Sequence, residues 1–140
     1  MELKENTAQL IIVFGIGGFT YGLIEIIYRG RTHWTMVILG GAVFTVLYFM
    51  NLSMKTRSLI VRGLIGSAVV TVAELAAGLL INLKYKLKVW DYSGQPGNIL
   101  GQICPAFSLA WFFLTIASVY FSVFLYWQLN KRLRLCQDFG

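Results

Sequence analysis

The sequence predicts an all-α, polytopic integral membrane protein built as a four-transmembrane-helix bundle. Of its 140 residues, 57% are hydrophobic and 13% are charged, whereas charged residues make up about a quarter of an ordinary soluble domain. The mean hydropathy is +0.68, and four apolar runs are each long enough to cross about 30 Å of hydrocarbon. These observations make the lipid bilayer the expected partner and exclude a disordered chain, a disulfide-stapled secreted domain and a nucleic-acid-binding protein.

The four predicted spans form one membrane domain. They are Ala8–Tyr28, Trp34–Leu52, Leu59–Leu83 and Ile99–Leu129. The first is not a cleavable signal by this interpretation, because Glu2 and Glu5 interrupt the positive charge of its leading region. The connections at 29–33 and 53–58 are short, so consecutive spans on either side of them are predicted to be antiparallel hairpins. Residues 84–98 are predicted to form an outer loop, and residues 130–140 a short basic tail.

The distribution of basic residues predicts an N-in/C-in topology. With four spans, both termini lie on one side of the membrane, and that side holds seven of the 12 basic residues. Lys4, Lys55, Arg57, Arg62, Lys131, Arg132 and Arg134 lie there, and Arg29, Arg31, Lys84, Lys86 and Lys88 lie opposite. Positive charge concentrates on the cytoplasmic side of membrane proteins. The net charge of +6 is therefore interpreted as a topology signal.

Small residues recur every three or four positions along spans 1 and 3. In span 1 the series Gly15, Gly18 and Gly22 leads to Glu25, and a similar series leads to Glu74 in span 3. Residues at this spacing share one helix face. Small-residue faces let helices approach closely, so these faces are predicted to pack either within one chain or between two copies in a homodimer.

Glu25 and Glu74 are the acidic residues that fall within the predicted spans. Charge inside a membrane is costly unless it is paired or used. One interpretation is a cation, proton or amine site beneath an outer polar mouth. The other is structural, with Glu25 paired to an arginine and Glu74 hydrogen-bonded to Thr71, Asn82 or another helix. The residues alone leave both interpretations open.

Polar residues next to these carboxylates are expected to line one outward-facing vestibule. The predicted binding residues are Glu25, Tyr28, Arg29, Arg31, His33, Glu74, Asn82, Trp90, Asp91, Tyr92, Asn98 and Gln102. Pro105 has no N–H, so the Gly101 carbonyl is expected to lack its helical partner. Irregular backbone of this kind is tolerated in a membrane only where it meets protein or water.

Several residues near the mouth also have simpler interpretations. His33, the single histidine, would relay protons or would hydrogen-bond Asp91 or a carbonyl. Trp34 and Trp90 are expected to be interfacial anchors. Residues 90–97 are interpreted as a turn, in which Asp91 either bonds the backbone or contributes to the site.

Three lysines, at positions 84, 86 and 88, alternate with apolar residues. Alternation predicts an extended or amphipathic segment on the membrane surface, with the lysines against lipid phosphates. The alternative is a funnel for an anionic substrate.

No familiar catalytic or cofactor motif is present. The sequence lacks G-x-x-x-x-G-K-[ST], H-E-x-x-H and G-x-S-x-G, so no catalytic residue and no cofactor are predicted, and any ATP hydrolysis is expected in a separate energising subunit. No metal site is predicted, because His33 has no neighbouring Cys or His. Cys104 and Cys136 are far apart in the sequence and predict no disulfide framework.

Several strings resemble one family, the type IV ABC-transporter (CmpB-like) membrane proteins of Gram-positive bacteria. The matching residues are Glu25 to Trp34 (EIIYRGRTHW), Gly40-Gly41, Glu74, Gly78, Asn82, Val89 to Ser93 (VWDYS), Pro96, Asn98, Gly101, Gln102 and Ile103. The resemblance extends from Gly22 to Trp111. It implies a transport protein of the bacterial cytoplasmic membrane.

Three functions are compatible with these features. The prediction carried forward is a permease or transport subunit that binds a small solute, cation or proton at the vestibule. A membrane-embedded enzyme acting on a lipid or an amine at the outer leaflet is the first alternative. An accessory or scaffolding protein, whose polar cluster fixes the long loop to the bundle, is the second.

Overall fold

The computed structural model is a bundle of four long helices, which we describe for residues 7–138, with side chains up to Lys131. The helices are α1 (Thr7–Arg29), α2 (Trp34–Ser53), α3 (Leu59–Gly78) and α4 (Pro105–Asp138), and a π-helical turn, Leu79–Lys84, extends α3. All four are long and apolar enough to cross a membrane. The predicted all-α, four-span fold is confirmed, and the N-in/C-in orientation stays a prediction. Lys4 and the side chains of Arg132, Arg134 and Cys136 lie outside the described residues.

The helices pack as two hairpins. Helix α1 lies against α2, α3 lies against α4, and α2 joins the hairpins by contacting both α3 and α4. We call the end that carries residues 30–33 and 85–104 the long-loop end, and the end that carries residues 54–58 the short-loop end. The candidate site lies at the long-loop end.

Glycines allow the close approach within each hairpin. A methyl group on Gly18 would lie 2.6 Å from the Val37 carbonyl oxygen, and one on Gly63 would lie 2.8 Å from the Phe112 ring. The predicted glycine faces therefore pack within the chain. Gly15 does not belong to the α1 face as expected, because it points to open space. Gly17 takes its place and is buried against Phe44.

The fourth helix begins later than the predicted start at residue 99. Residues 99–104 form a tight turn in which the Ile99 N–H donates to the Ile103 carbonyl at 2.9 Å. Gly101 supports this turn with a φ of 68°, a value that favours glycine. Pro105 is the first residue of α4, where a missing N–H costs nothing. The Gly101 carbonyl is not free, since it accepts the Tyr92 N–H at 2.7 Å.

The lysine segment after the π-helical turn is exposed, but it is not regularly extended. Lys86 and Lys88 have φ values of 55° and 49°, which lie in the left-handed region. Between them, the Leu87 N–H donates to the Ile81 carbonyl at 3.1 Å. The segment therefore curls against the end of α3 instead of lying as a straight surface strand.

Candidate functional site

A cavity of about 430 Å³ lies at the long-loop end, between α1, α4 and the long loop. We call it the aromatic cavity. Its lining is Tyr21, Ile24, Glu25, Tyr28, Arg29, Tyr92, Gln95, Ala106, Phe107, Ala110, Trp111 and Leu114. Four of the twelve predicted binding residues are among them: Glu25, Tyr28, Arg29 and Tyr92.

Glu25 contributes a carboxylate to the wall and is already paired. Arg29, one turn further along α1, forms an ion pair with it, and Thr32 Oγ1 donates to its other oxygen at 2.7 Å. Arg29 also donates to the Val89 carbonyl at 3.2 Å. The pair therefore joins the end of α1 to the long loop while it lines the cavity. The structural interpretation expected Glu25 to pair with an arginine, and that arginine is Arg29.

Glu74 is held by neutral donors instead. It is 3% exposed; Trp111 Nε1 donates to Oε2 at 2.7 Å, and the Tyr92 hydroxyl donates to Oε1 at 3.4 Å. Neither Thr71 nor Asn82 bonds it, and within residues 7–131 it makes no ion pair. Since Trp111 and Tyr92 both line the cavity, Glu74 lies directly behind the cavity wall.

Aromatic rings form most of that wall and contact one another. The Tyr92 ring stacks on Phe107 with centroids 4.3 Å apart, and Tyr28 meets the same ring edge-on at 6.1 Å. On the opposite side Tyr21 stacks on Trp111 at 5.9 Å. Offset and edge-on pairs of this kind are favourable beyond their buried area, so they fix the positions of the two donors to Glu74.

Burial, followed by the nearby charge of Glu74, raises the pKa of the Tyr92 phenol above its ordinary value. Both causes disfavour the phenolate. Tyr92 therefore keeps its proton under ordinary conditions and serves as a donor to the carboxylate.

A second group of predicted residues forms a buried network behind the loop. Asn82 donates to the Trp90 carbonyl at 3.0 Å and to Gln102 Oε1 at 2.8 Å, and it accepts the Val89 N–H at 2.7 Å. The Trp90 indole donates to the Gln102 carbonyl at 3.0 Å. Trp90 is 4% exposed, so it is part of the interior and not the surface anchor that we expected. Trp34, by contrast, is 65% exposed.

Asp91 and Asn98 shape the exposed turn of the loop. Asp91 Oδ1 accepts the Ser93 N–H at 2.8 Å, and this bond lowers the pKa of the Asp91 carboxyl. Asn98 donates to the carbonyls of Ser93 and Gln95 at 3.1 and 2.8 Å. Neither residue lines the aromatic cavity.

Arg31 and His33 lie in a smaller groove of about 160 Å³, which shares Arg29 with the aromatic cavity. His33 Nδ1 accepts the Thr35 N–H at 3.3 Å and so caps α2. One expectation was that His33 would hydrogen-bond Asp91 or a carbonyl. In the structure its Nδ1 contacts Thr35 instead.

Sequence reasoning missed Tyr21, Gln95, Phe107 and Trp111. A detectable signal existed for Trp111 alone, because a buried indole N–H needs an acceptor. Its acceptor is 37 positions away on another helix, and no local spacing points to it. No cluster of His, Cys, Asp and Glu with the geometry of a metal site occurs in the described part of the chain.

The fold and the site define a polytopic membrane protein with a charged, aromatic-walled cavity inside its helix bundle. The chain belongs to the family described as Putative ABC-transporter type IV, whose family model matches residues 8–136. Family and fold together fit a membrane transport-related protein. Comparisons with curated proteins and with solved structures give no match.

Proposed function

We propose that this protein is a permease or transport subunit that binds a small organic cation in the aromatic cavity. The observation that carries the proposal is the composition of the site: two carboxyl groups and one guanidinium group lie within or directly behind a wall of aromatic rings. When both carboxyl groups are ionised, the site holds one excess negative charge. Aromatic faces attract cations such as ammonium groups.

Glu74 is the carboxylate that would balance the cation. Arg29 already neutralises Glu25, whereas the hydrogen bonds that Glu74 receives from the described residues come from uncharged groups. A cation against the rings of Trp111 and Tyr92 would lie next to the carboxylate that these residues hold. A buried charge is stabilised most by an opposite charge nearby, so cation binding and the burial of Glu74 support each other.

Transport by this chain would involve further components. Four helices form a thin wall for alternating access, so we propose a homodimer or a separate energising subunit as partner. The proposed location is the bacterial cytoplasmic membrane, with the cavity facing outward.

Tetramethylammonium is the probe that tests this proposal. Purified protein is titrated with it by calorimetry, and uptake down a concentration gradient, which needs no energising subunit, is followed in proteoliposomes. We expect Glu74→Gln to weaken binding by at least about tenfold, or ~1.4 kcal/mol, and to abolish uptake. Asp91→Asn is the matched control, because Asp91 is exposed and lies outside the cavity; it should bind and transport like the wild type.

Two results would count against the proposal. Unchanged affinity in a folded Glu74→Gln protein would remove the proposed role of Glu74. Absence of any tetramethylammonium binding by the wild type, together with reduced thermal stability of Glu74→Gln, would favour the scaffolding function, in which the polar cluster only fixes the loop.

A further inference from the structure

A second cavity continues the aromatic cavity toward the short-loop end. It has a volume of about 280 Å³ and lies between α1, α2 and α4. Tyr21, Ile24 and Leu114 line both cavities, so the two spaces adjoin. We call the second one the apolar crevice; Phe44 and Phe121 are among its lining residues.

Among residues 7–131, the lining of the apolar crevice holds no charged residue. Besides Tyr21, the hydroxyl-bearing residues of the lining are Thr20, Thr115 and Ser118, and the last two are already used inside the bundle. Thr115 Oγ1 donates to the Gly63 carbonyl at 3.1 Å, and Ser118 Oγ donates to the Thr115 carbonyl at 2.7 Å. An occupant of this space therefore meets mainly hydrocarbon.

The crevice lies where the backbones of two neighbouring helices stay apart. Helix α1 packs on α2, and α4 packs on α3 and α2, but within the described residues the backbones of α1 and α4 do not approach closely. Toward the long-loop end the two helices meet through rings, Tyr21 with Trp111 and Tyr28 with Phe107. Ile24 and Leu114, at the edges of the gap, are 38% and 39% exposed. In a bilayer this opening faces the acyl chains, so a ligand dissolved in the membrane can enter sideways.

We propose that the two cavities form one site for a single-chain amphiphilic amine, with its cationic head in the aromatic cavity and its aliphatic tail in the apolar crevice. This inference rests on the proposed function, because the head occupies the same cation site. Along α1, Glu25 and Gly17 are eight residues apart, which corresponds to ~12 Å. That length holds a tail of several methylene groups.

The charge of the site favours this occupant over an ordinary phospholipid. A phospholipid would bring a phosphate group toward Glu25 and Glu74, where two carboxyl groups face one guanidinium. Like charges in a low-dielectric site repel strongly. A primary or quaternary ammonium head carries the complementary sign.

The test uses a dodecylamine that carries a diazirine at the tail end, photolysed in proteoliposomes containing the full chain. We expect label in residues 40–47 and 114–121, and we expect an excess of plain dodecylamine to remove it. The matched uncharged probe is the corresponding alcohol. The proposal would be overturned if the label were spread evenly over all lipid-facing helices and plain dodecylamine did not displace it. That result would show only that the probe partitions into the bilayer.

A crevice-filling variant separates this proposal from the proposed function. Ala117 lines the apolar crevice, so Ala117→Leu should reduce displaceable labelling by about tenfold, or ~1.4 kcal/mol, and leave tetramethylammonium binding unchanged. Ala76→Leu adds the same bulk on an exposed face of α3, outside both cavities, and should behave like the wild type. If the protein binds tetramethylammonium but Ala117→Leu is labelled as strongly as the wild type, the proposed tail site is wrong. If tetramethylammonium fails to bind while displaceable tail labelling persists, the small-cation function is wrong and the amphiphile site stands.

Discussion

At the scale of single residues, Glu74 shows how a carboxylate is kept inside an apolar bundle. Its side chain has no ion-pair partner among residues 7–131, and both of its oxygens receive hydrogen bonds from aromatic side chains. Hydrogen bonds to an ionised acceptor are about twice as strong as neutral ones. Because Trp111 and Tyr92 are also cavity walls, any ligand that displaces either ring also changes the environment of Glu74.

The raised pKa of Tyr92 predicts a loss of stability in alkali. The folded protein holds this proton more tightly than the unfolded chain, whose phenol titrates near pH 10. The stabilisation is therefore fully present below about pH 10, and it decreases as the pH rises further, by up to ~1.4 kcal/mol per pH unit. Tyr92→Phe should have a lower stability at neutral pH, and it should lose less than the wild type between about pH 9 and pH 11.

Thermal unfolding of the detergent-solubilised protein at several pH values measures this effect. Tyr85→Phe is the control, since Tyr85 is 62% exposed and belongs to the same loop; its pH profile should follow that of the wild type. Identical alkaline losses in Tyr92→Phe and the wild type would contradict the role assigned to the Tyr92 proton.

At the scale of helices, glycines determine which faces can meet. Gly18 and Gly41 bring the backbones of α1 and α2 so close that a methyl group on either would lie within 2.8 Å of a carbonyl oxygen of the opposite helix. Helix association in a membrane depends on such packing, because lipid tails are as apolar as the side chains themselves.

Two alanine substitutions on the same helix separate packing from helix propensity. Gly18→Ala should reduce the free energy of unfolding by about 1–3 kcal/mol, because the added methyl group forces α1 away from α2. Gly15→Ala meets no atom within 4 Å and should be neutral or stabilising by up to ~1 kcal/mol, since alanine favours the helix. Thermal or denaturant unfolding in detergent compares them; equal effects of the two substitutions would exclude the proposed close contact.

The long loop is also held at the scale of elements. Asn82 lies in the π-helical turn, and its amide bonds the loop at Val89 and at Trp90. Gln102 closes the network from the turn that precedes α4. A buried polar network of this kind specifies one arrangement when its members are satisfied. The loop that carries Tyr92 to Glu74 is therefore positioned by residues that do not line the cavity.

At the scale of the whole molecule, polar groups concentrate at the two ends of the bundle. The carboxylates lie toward the long-loop end, whereas Arg62 is buried toward the short-loop end, where it donates to the Asn51 carbonyl near the end of α2. A cation at a helix C-terminus is favourable. Asn51 in turn donates to Ser118 and Ser122 of α4, at 3.2 Å in both cases. The two hairpins are thus joined by polar contacts near both ends.

The predicted N-in/C-in orientation can be tested with cysteine variants. In a background with Cys104 and Cys136 replaced by serine, Lys86→Cys should react with a membrane-impermeant maleimide in intact cells. Lys55→Cys, at the opposite end of the bundle, should react only after the membrane is opened. Both lysines are exposed. The reversed labelling pattern would place the aromatic cavity on the cytoplasmic side.

Much of the architecture could be predicted because it depends on local properties. Apolar runs of sufficient length must become helices in a bilayer, since each backbone group needs an internal partner. Local reasoning also gave an arginine as the partner of Glu25 in one of its two interpretations, and the structure shows that this arginine is Arg29, one turn away. The prediction for Gly15 was wrong. Gly15, Gly17 and Gly18 lie on neighbouring faces of α1, and their spacing alone does not show which of these faces meets α2.

The sequence by itself determined the fold class, the four spans and the two intramembrane carboxylates, which follow from composition, run length and spacing along one helix. Its specific strings carried the resemblance to the family. Only the tertiary structure decided that Trp111 and Tyr92 hold Glu74 and that Asn82, Trp90 and Gln102 fix the loop. These facts depend on contacts between residues 8 to 37 positions apart in the sequence. Such contacts arise from helix packing, which no local pattern encodes.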